Sequence, residues 1–238
     1  FFFKQKTAYE IPKRDWSSDV CSSDLASPAN PTGSMLSRYD LQELVAWCAA
    51  HGVRLISDEI YHGICFGEKA ATALEFTQAA IVVNSFSKYY SMTGWRLGWM
   101  VIPPDLARTV EVLAQNLFIS PPTLPQLAAL AAFEATEELD ANVARYKRNR
   151  DLLLSRLPQA GFERFASPDG AFYLYADVAH LTNDSEAFCR RMLAEAGVAA
   201  TPGIDFDPER GRAYLRFSFA GTEADMEEAA RRLIAWRK

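Results

Sequence analysis

The order of apolar and polar positions predicts that helices and strands alternate along the chain. Ser37 and Asp40 have capping-box spacing, and Gly52 follows the helix that they begin. The apolar residues of this helix recur on one face: Leu41, Leu44, Val45 and Cys48. The apolar runs that follow predict three strands: VRLIS at 53–57, IVVNSF at 81–86 and WRLGWMVI at 95–102. This alternation is typical of an α/β fold with a mostly parallel sheet.

A mainly helical stretch is predicted from Pro103 to about Arg156. Its prolines mark a break and a new start: Pro121, Pro122 and Pro125. The part around residues 137–157 is long and without breakers, so we expect it to connect two domains.

A second, smaller α/β unit is predicted after Gly161. Its strands are AFYLYADV and AYLRFSFA, and a helix lies between them near residues 184–196. Thr222, with Asp225 as its capping partner, begins a last helix. One face of this helix is apolar: Met226, Ala229, Ala230 and Leu233.

The first 25 residues, FFFKQKTAYEIPKRDWSSDVCSSDL, do not share this organisation. They have no apolar periodicity, and SSDV and SSDL repeat almost back to back. Their apolar triplet precedes the charges, which is unlike a signal peptide. The segment resembles translated sequencing-adapter read-through, so we predict that residues 1–25 are a non-native or disordered leader.

Composition narrows the classes of function. The chain has 238 residues, of which 49% are hydrophobic and 23% charged, as expected for a soluble globular protein. The formal charge is -5 and no basic run is present, which argues against a nucleic-acid surface. No apolar run approaches the roughly 20 residues that a membrane helix needs. We therefore expect small-molecule partners, no nucleic acid and no membrane.

The cysteines and histidines predict neither a disulfide framework nor a metal site. The residues are Cys21, Cys48, Cys65, Cys189, His51, His62 and His180. The cysteines are far apart and unpaired in spacing, which favours a reducing cytoplasm. The histidines form no His-x-x-x-His pair, so metal-dependent hydrolysis is not expected.

Two ionisable residues follow predicted strands. Asp58 ends the first strand after the capped helix, and Lys88 comes just past the next one. Ligands of parallel sheets gather outside the carboxyl ends of the strands. Either residue alone could be a helix cap or a solvated loop charge, but their complementary chemistry favours a joint functional role. Glu59, next to Asp58, is interpreted as structural.

Five motifs in sequence order identify a family. They are NPTG at 30–33, DEIY at 58–61, SFSK at 85–88, GWRLG at 94–98 and YLRFSFA at 214–220. Together they resemble the class I/II aminotransferases, which are fold type I enzymes that use pyridoxal phosphate. The resemblance extends from about residue 27 to the end. It implies the C-terminal part of a large, mostly parallel three-layer α/β/α cofactor domain at 26–145 and a smaller α/β C-terminal domain at 146–238.

The resemblance assigns catalytic roles to Lys88, Asp58 and Tyr61. Lys88 would hold the cofactor aldehyde as an imine and later move a proton, tasks that suit a partly desolvated lysine with a lowered pKa. Asp58 would keep the cofactor ring nitrogen protonated through a charge-assisted hydrogen bond. Tyr61 and Asn30 would hydrogen-bond the phenolic oxygen of the cofactor.

The resemblance also implies sites for phosphate and for substrate. Ser85, Ser87 and Arg96 correspond to positions around the cofactor phosphate, which hydroxyl groups and a guanidinium can bind. Arg216, with Asn30, would bind the substrate α-carboxylate. An arginine inside a strand is costly unless it is paired. The alternative is an edge-strand arginine that faces water.

The implied function is amino transfer between an amino acid and a 2-oxo acid, in a cytoplasmic protein that is a homodimer when full length. Full-length relatives carry further large-domain sequence ahead of the NPTG motif, including a glycine-rich phosphate turn. We therefore expect a C-terminal fragment that binds pyridoxal phosphate weakly or not at all.

Two alternatives share the same motifs. One is a pyridoxal-phosphate-dependent lyase or decarboxylase, since the pocket residues that decide the outcome are not identified. The other is a non-enzymatic aminotransferase-like effector domain of a transcription regulator. Assay of 2-oxo acid formation with and without an amino acceptor distinguishes the enzymes.

Overall fold

Contacts within the chain divide the described residues into two units. The computed structural model describes residues 22–237, with side chains from Leu25 onward. The first unit contains the residues up to Pro28 together with Met35–Ala141. The second contains Ala29–Ser34, which includes the NPTG motif, and the residues from Asn142 onward. The domain bounds at 26–145 and 146–238 stay predictions.

The first unit is built on a four-stranded sheet. Its strands are β1 (Ser22–Ala26), β2 (Arg54–Asp58), β3 (Ile81–Ser85) and β4 (Gly98–Val101), in the order β1-β2-β3-β4. β1, β2 and β3 are parallel, and β4 is antiparallel to β3. The predicted α/β class with a mostly parallel sheet is confirmed.

Part of the predicted leader lies in this sheet. Residues 22–25 belong to β1, and Leu25 is buried in the core of the first unit. Residues 1–21, the remainder of the predicted leader, lie outside the described residues.

The first helix, α1 (Arg38–Ala50), forms as the sequence predicts. The Ser37 side chain accepts a hydrogen bond from the Asp40 backbone N–H at 3.1 Å, which satisfies one of the unpaired donors of the first turn. The apolar face is buried and packs in one cluster with Leu25, Leu55 and Val82 of the strands. The capped, one-sided pattern was therefore sufficient to predict this helix.

Strand β4 is shorter than the sequence predicts. The strand was expected from Trp95, but Thr93–Trp95 is a 3₁₀ turn and Arg96 is left-handed with φ 52°. A left-handed residue cannot continue a strand. Pairing begins at Gly98, where a Cβ atom would lie 2.7 Å from the Asn84 carbonyl oxygen, so glycine permits the close approach of β3 and β4.

Three helices follow β4: α2 (Pro104–Leu117), α3 (Thr123–Ala132) and α4 (Thr136–Arg156). The break that the prolines predict lies between α2 and α3. Helix α4 begins in the first unit and ends in the second. Within residues 22–237, no helix has both the length and the apolar character needed to cross a membrane.

The second unit contains a separate antiparallel sheet. Its strands are β5 (Arg164–Phe165), β6 (Tyr173–Asp177), β7 (Thr201–Pro202) and β8 (Tyr214–Ser218), in the order β5-β6-β8-β7. The sequence predicts β6 and β8 correctly. It does not predict β5 and β7, because two-residue strands carry no periodic signal.

Two helices complete the second unit. They are α5 (Ser185–Ala196), capped by Asp184, and α6 (Glu223–Arg237). Asp225 donates its backbone N–H to the Thr222 hydroxyl at 3.1 Å, which is the predicted capping contact. In β8 the side chains of Leu215 and Phe217 are buried, so the alternation of a strand directs Arg216 to the opposite face.

Candidate active site

Asp58 and Lys88 lie at the carboxyl ends of neighbouring strands. Asp58 ends β2, Lys88 follows β3 by three residues, and the two strands pair in parallel. Burial raises the pKa of the Asp58 carboxyl, and a hydrogen bond from the Ile60 backbone N–H opposes this effect. The neighbouring charge of Glu59 raises this pKa further, and the charge of Lys88 lowers it by a smaller amount. Burial is therefore the main influence on the Asp58 carboxyl.

The burial of Asp58 predicts a stability cost at neutral pH. Because its folded-state pKa is raised, protonation favours the folded state, and this contribution is lost as pH rises from the unfolded pKa through the folded one. We expect Asp58→Asn, which keeps the acceptor for the Ile60 N–H, to raise the melting temperature at pH 7. The gain should shrink near pH 3. Thermal unfolding of Asp58→Asn and of the unsubstituted chain between pH 3 and pH 7 tests this prediction. An equal difference in melting temperature at pH 3 and pH 7 would contradict it.

Lys88 faces an aromatic ring. Its Nζ atom is 5.5 Å from the ring centroid of Tyr61, a distance that permits a cation–π contact. Tyr61 is 3% exposed and follows Asp58 in the turn after β2. The structure thus brings the three predicted catalytic residues of the first unit, Lys88, Asp58 and Tyr61, into one region.

The predicted phosphate-binding residues belong to one hydrogen-bonded loop. The Ser85 hydroxyl accepts from the Ser87 backbone N–H at 3.0 Å and donates to the Leu97 carbonyl at 3.3 Å. Thr93 donates its hydroxyl to the Ser87 carbonyl at 2.6 Å, and Arg96 Nη1 donates to the Thr93 carbonyl at 3.0 Å. Arg96 is exposed, and a guanidinium has five N–H donors. Two serines and an arginine are a donor set that fits a phosphate dianion.

Glu59 is anchored inside the first unit. It is 3% exposed, and its Oε1 accepts hydrogen bonds from the Ser57 hydroxyl, the Thr72 hydroxyl and the Ala73 N–H at 2.9–3.0 Å. Oε2 lies 3.4 Å from His62 Nδ1. These contacts agree with the interpretation of Glu59 as structural.

In the second unit a tight turn holds Asn30. The turn is closed by hydrogen bonds from the Gly33 N–H to the Ala29 carbonyl and from the Ala29 N–H to the Ser34 carbonyl. Gly33 has φ 75°, and a Cβ atom there would lie 2.9 Å from the Gly170 carbonyl oxygen. Only glycine fits both demands. The NPTG sequence therefore folds into a turn fixed against its own unit.

Four side chains of the second unit contact the Arg216 guanidinium. Nη1 donates to Asn30 Oδ1 at 2.6 Å, and Nη2 donates to Thr201 Oγ1 at 3.1 Å. The guanidinium carbon lies 4.3 Å from the ring centroid of Tyr173 and 4.7 Å from that of Phe206. β8 lies between β6 and β7, so Arg216 is not on an edge strand, contrary to the alternative interpretation.

The guanidinium of Arg216 is incompletely paired within the part of the chain that the structure describes. No acidic side chain there forms an ion pair with it, and its buried Nε atom has no hydrogen-bond partner. An incompletely paired charge of this kind is costly unless a ligand supplies the partner. A carboxylate matches the guanidinium in charge and in donor geometry.

Sequence reasoning missed three residues around Arg216. Thr201 lies directly opposite Arg216 in the β7–β8 ladder, but the short β7 gave no signal. Tyr173 was predicted only as part of a strand, and nothing was predicted for Phe206. Alternation within the predicted AFYLYADV strand puts Tyr173 and Tyr175 on one side, but the pairing of Tyr175 with Arg216 is visible only in the folded chain.

The described residues contain no group of three or more His, Cys, Asp or Glu side chains placed to hold a metal ion. Three of the cysteines are free thiols: Cys48, Cys65 and Cys189. Cys21 lies outside the described residues.

The family model described as aminotransferase class I and II matches residues 25–233, and the chain belongs to this family. Members of the family use pyridoxal phosphate as cofactor.

Curated relatives include a valine–pyruvate aminotransferase of Mycobacterium tuberculosis, 52% identical over 89% of this chain and 56% of the relative. An aspartate aminotransferase of Sulfurisphaera tokodaii is 32% identical over 88% of this chain and 54% of the relative. The chain thus spans about half the length of the curated relatives that it matches.

Solved structures of aminotransferases are similar to this chain in fold. An aminotransferase from Mycobacterium tuberculosis matches with a TM-score of 0.88 at 52% identity. The match covers 90% of this chain and 57% of the chain in that structure. A double mutant of the Thermus thermophilus aspartate aminotransferase has a TM-score of 0.82 at 31% identity, covering 90% and 56%.

Proposed function

We propose that the whole protein is a pyridoxal-phosphate-dependent aminotransferase that moves an amino group between an amino acid and a 2-oxo acid. The observation that carries this proposal is the placement of Asp58 and Lys88 at the carboxyl ends of two neighbouring parallel strands. Membership of the aminotransferase family supports the same reaction.

Six residues of the first unit are proposed to bind the cofactor or act with it. Bound pyridoxal phosphate supplies an electron sink for bond breaking at the substrate α-carbon. Lys88 Nζ would anchor the cofactor aldehyde and then carry the α-proton. Asp58 would hold a proton at the ring nitrogen, and Tyr61 would donate to the phenolic oxygen. The hydroxyls of Ser85 and Ser87 and the guanidinium of Arg96 would bind the phosphate.

Arg216 and Asn30 are proposed to bind the substrate. The guanidinium would take the α-carboxylate of the amino acid or the 2-oxo acid, and Asn30, whose Oδ1 accepts from Arg216 Nη1, would orient it. Asn30 is also proposed to contact the phenolic oxygen of the cofactor. The name of the 52% identical relative supports L-valine and pyruvate as the first substrates to test.

A homodimer in the cytoplasm is proposed with this function. Helices α2 and α3 and their connection expose large apolar side chains, which supports association with further protein. They are Leu113, Leu117, Phe118, Ile119, Leu124, Leu127 and Leu130. The free thiols support a reducing compartment.

Transfer of labelled nitrogen tests the reaction. The chain is incubated with pyridoxal phosphate and with a large excess of ¹⁵N-labelled L-valine and pyruvate, and alanine is analysed by mass spectrometry. The proposal predicts ¹⁵N-alanine and the 2-oxo acid of valine in equal amounts. Loss of valine without labelled alanine, or 2-oxo acid that forms equally without pyruvate over many turnovers, would contradict amino transfer.

A further inference from the structure

Tyr89, the residue directly after Lys88, is attached to a distant part of the first unit. Its hydroxyl donates a hydrogen bond to Asp140 Oδ1 at 2.7 Å, across 51 residues of sequence. Asp140 is an exposed residue of the second turn of helix α4. A hydrogen bond to a carboxylate is charge-assisted and shorter than an ordinary one. The loop that carries Lys88 is therefore tied to α4.

The ring of Tyr89 occupies the space above Gly63. A Cβ atom on Gly63 would lie 2.7 Å from Cδ2 and 2.8 Å from Cγ of the Tyr89 ring. Gly63 also has φ 91°, a conformation that other residues rarely adopt. The turn after β2 and the tyrosine are thus matched in shape.

Neighbouring residues of the lysine loop contact neighbouring parts of the same turn. Tyr89 lies on Gly63, and Lys88 lies 5.5 Å from the ring centroid of Tyr61, two residues earlier. The lysine loop is closed by its own hydrogen bonds, from the Ser91 N–H to the Lys88 carbonyl and from the Met92 N–H to the Phe86 carbonyl, both at 3.0 Å. A displacement of Tyr89 on Gly63 would therefore displace Lys88 relative to Tyr61.

We propose that Tyr89 is a positioning residue for Lys88. Its ring on Gly63 and its hydroxyl on Asp140 hold Lys88 against Tyr61 and tie that position to helix α4. The importance of this position for chemistry rests on the function proposed above. Because α4 begins in the first unit and ends in the second, the hydrogen bond connects the lysine loop to the helix that joins the units along the chain.

The ionisation of Tyr89 suits this role. Burial, followed by the hydrogen bond and the charge of Asp140, raises the pKa of the Tyr89 hydroxyl from about 10 to about 12. The phenol therefore keeps the proton that it donates throughout the neutral range. The neutral form is favoured in the folded state, so its stabilising contribution is present below pH 10 and is lost as pH rises from about 10 to about 12.

Amide hydrogen exchange of the chain without cofactor tests the attachment. Tyr89→Phe keeps the ring on Gly63 but removes the donor, and Asp140→Asn removes the charge of the acceptor at an exposed position where folding is not at risk. Tyr90→Phe is the matched control in the same loop. We expect the Ser91 and Met92 amides to exchange about fivefold faster in Tyr89→Phe, the size of one net hydrogen bond, with a smaller effect in Asp140→Asn and none in Tyr90→Phe.

Reactivity of Lys88 tests the positioning. Each protein is treated with pyridoxal phosphate, reduced with borohydride and digested, and the adduct at Lys88 is compared with that at the exposed Lys69. Tyr89→Phe should lower this ratio about fivefold, since one hydrogen bond holds the loop, and Tyr90→Phe should not change it.

The proposal would be overturned if neither Tyr89→Phe nor Asp140→Asn changed the amide exchange rates of Ser91 and Met92 or the ratio of the Lys88 adduct to the Lys69 adduct. An equal effect of Tyr90→Phe would also overturn it, because the loop would then respond to any lost hydroxyl. If the unsubstituted chain forms no preferential Lys88 adduct, the proposed role of Lys88 fails for this chain, whereas the exchange comparison still decides whether Tyr89 holds the loop.

Discussion

Replacing Lys88 by alanine is expected to lower ¹⁵N transfer from valine to alanine by about 10²- to 10⁴-fold, the usual contribution of a positioned proton carrier. Lys88 is the lysine that follows β3, faces Tyr61 and acts on the Asp58 carboxyl. No other amine is required by the proposed chemistry. The measurement is the initial rate of ¹⁵N-alanine formation at saturating pyridoxal phosphate.

Lys69→Ala is the matched control for this prediction, because Lys69 is an exposed lysine of the same unit. We expect its transfer rate to equal that of the unsubstituted chain. If Lys88→Ala transfers nitrogen at a rate within a few-fold of the unsubstituted chain, Lys88 takes no part in the reaction. Circular dichroism of each variant checks that the fold is retained.

Replacing Arg216 by leucine is expected to weaken the apparent affinity for L-valine by about 10- to 100-fold, the range for losing hydrogen bonds to a charged group. Arg216 is fixed by Asn30 and Thr201 and has no acidic partner among the residues that the structure describes. The lost interaction is with the carboxylate. The measurement is the dependence of ¹⁵N transfer on valine concentration.

The amine isobutylamine, which is valine without its carboxylate, makes this prediction specific. Selectivity for valine over isobutylamine should collapse in Arg216→Leu and fall less in Arg216→Lys, which keeps the charge but not the planar pair of donors. Arg212→Leu removes an exposed arginine that precedes the same strand. It should change neither the apparent affinity for L-valine nor the selectivity for valine over isobutylamine. If Arg216→Leu weakens both ligands equally, Arg216 does not bind the carboxylate.

Much of the first unit could be predicted because its signals are local. The Ser37 cap, the one-sided face of α1 and the apolar runs of β2 and β3 are encoded within a few residues each. These elements determine where Asp58 and Lys88 lie, since both follow directly from the strand ends. Local pattern therefore located the two strand ends, at one edge of the sheet, where chemistry is proposed.

The remaining contacts depend on tertiary packing that no local pattern contains. Asn30 and Arg216 meet across 186 residues, and Thr201 reaches Arg216 from a two-residue strand. Arg96 was predicted in a strand but adopts a left-handed conformation, which shortens β4. The sequence motifs contain Asn30, Arg96 and Arg216, but the contacts of these residues became visible only in the folded chain.

The position of the cofactor adduct shows which lysine binds the cofactor. The unsubstituted chain is treated with pyridoxal phosphate, reduced with borohydride, digested and mapped by mass spectrometry. We expect the pyridoxyl group mainly on Lys88, with less on the exposed Lys69 and Lys147. A distribution that follows exposure alone, with Lys88 no higher than these two, would contradict the assignment of Lys88 as the residue that binds the cofactor.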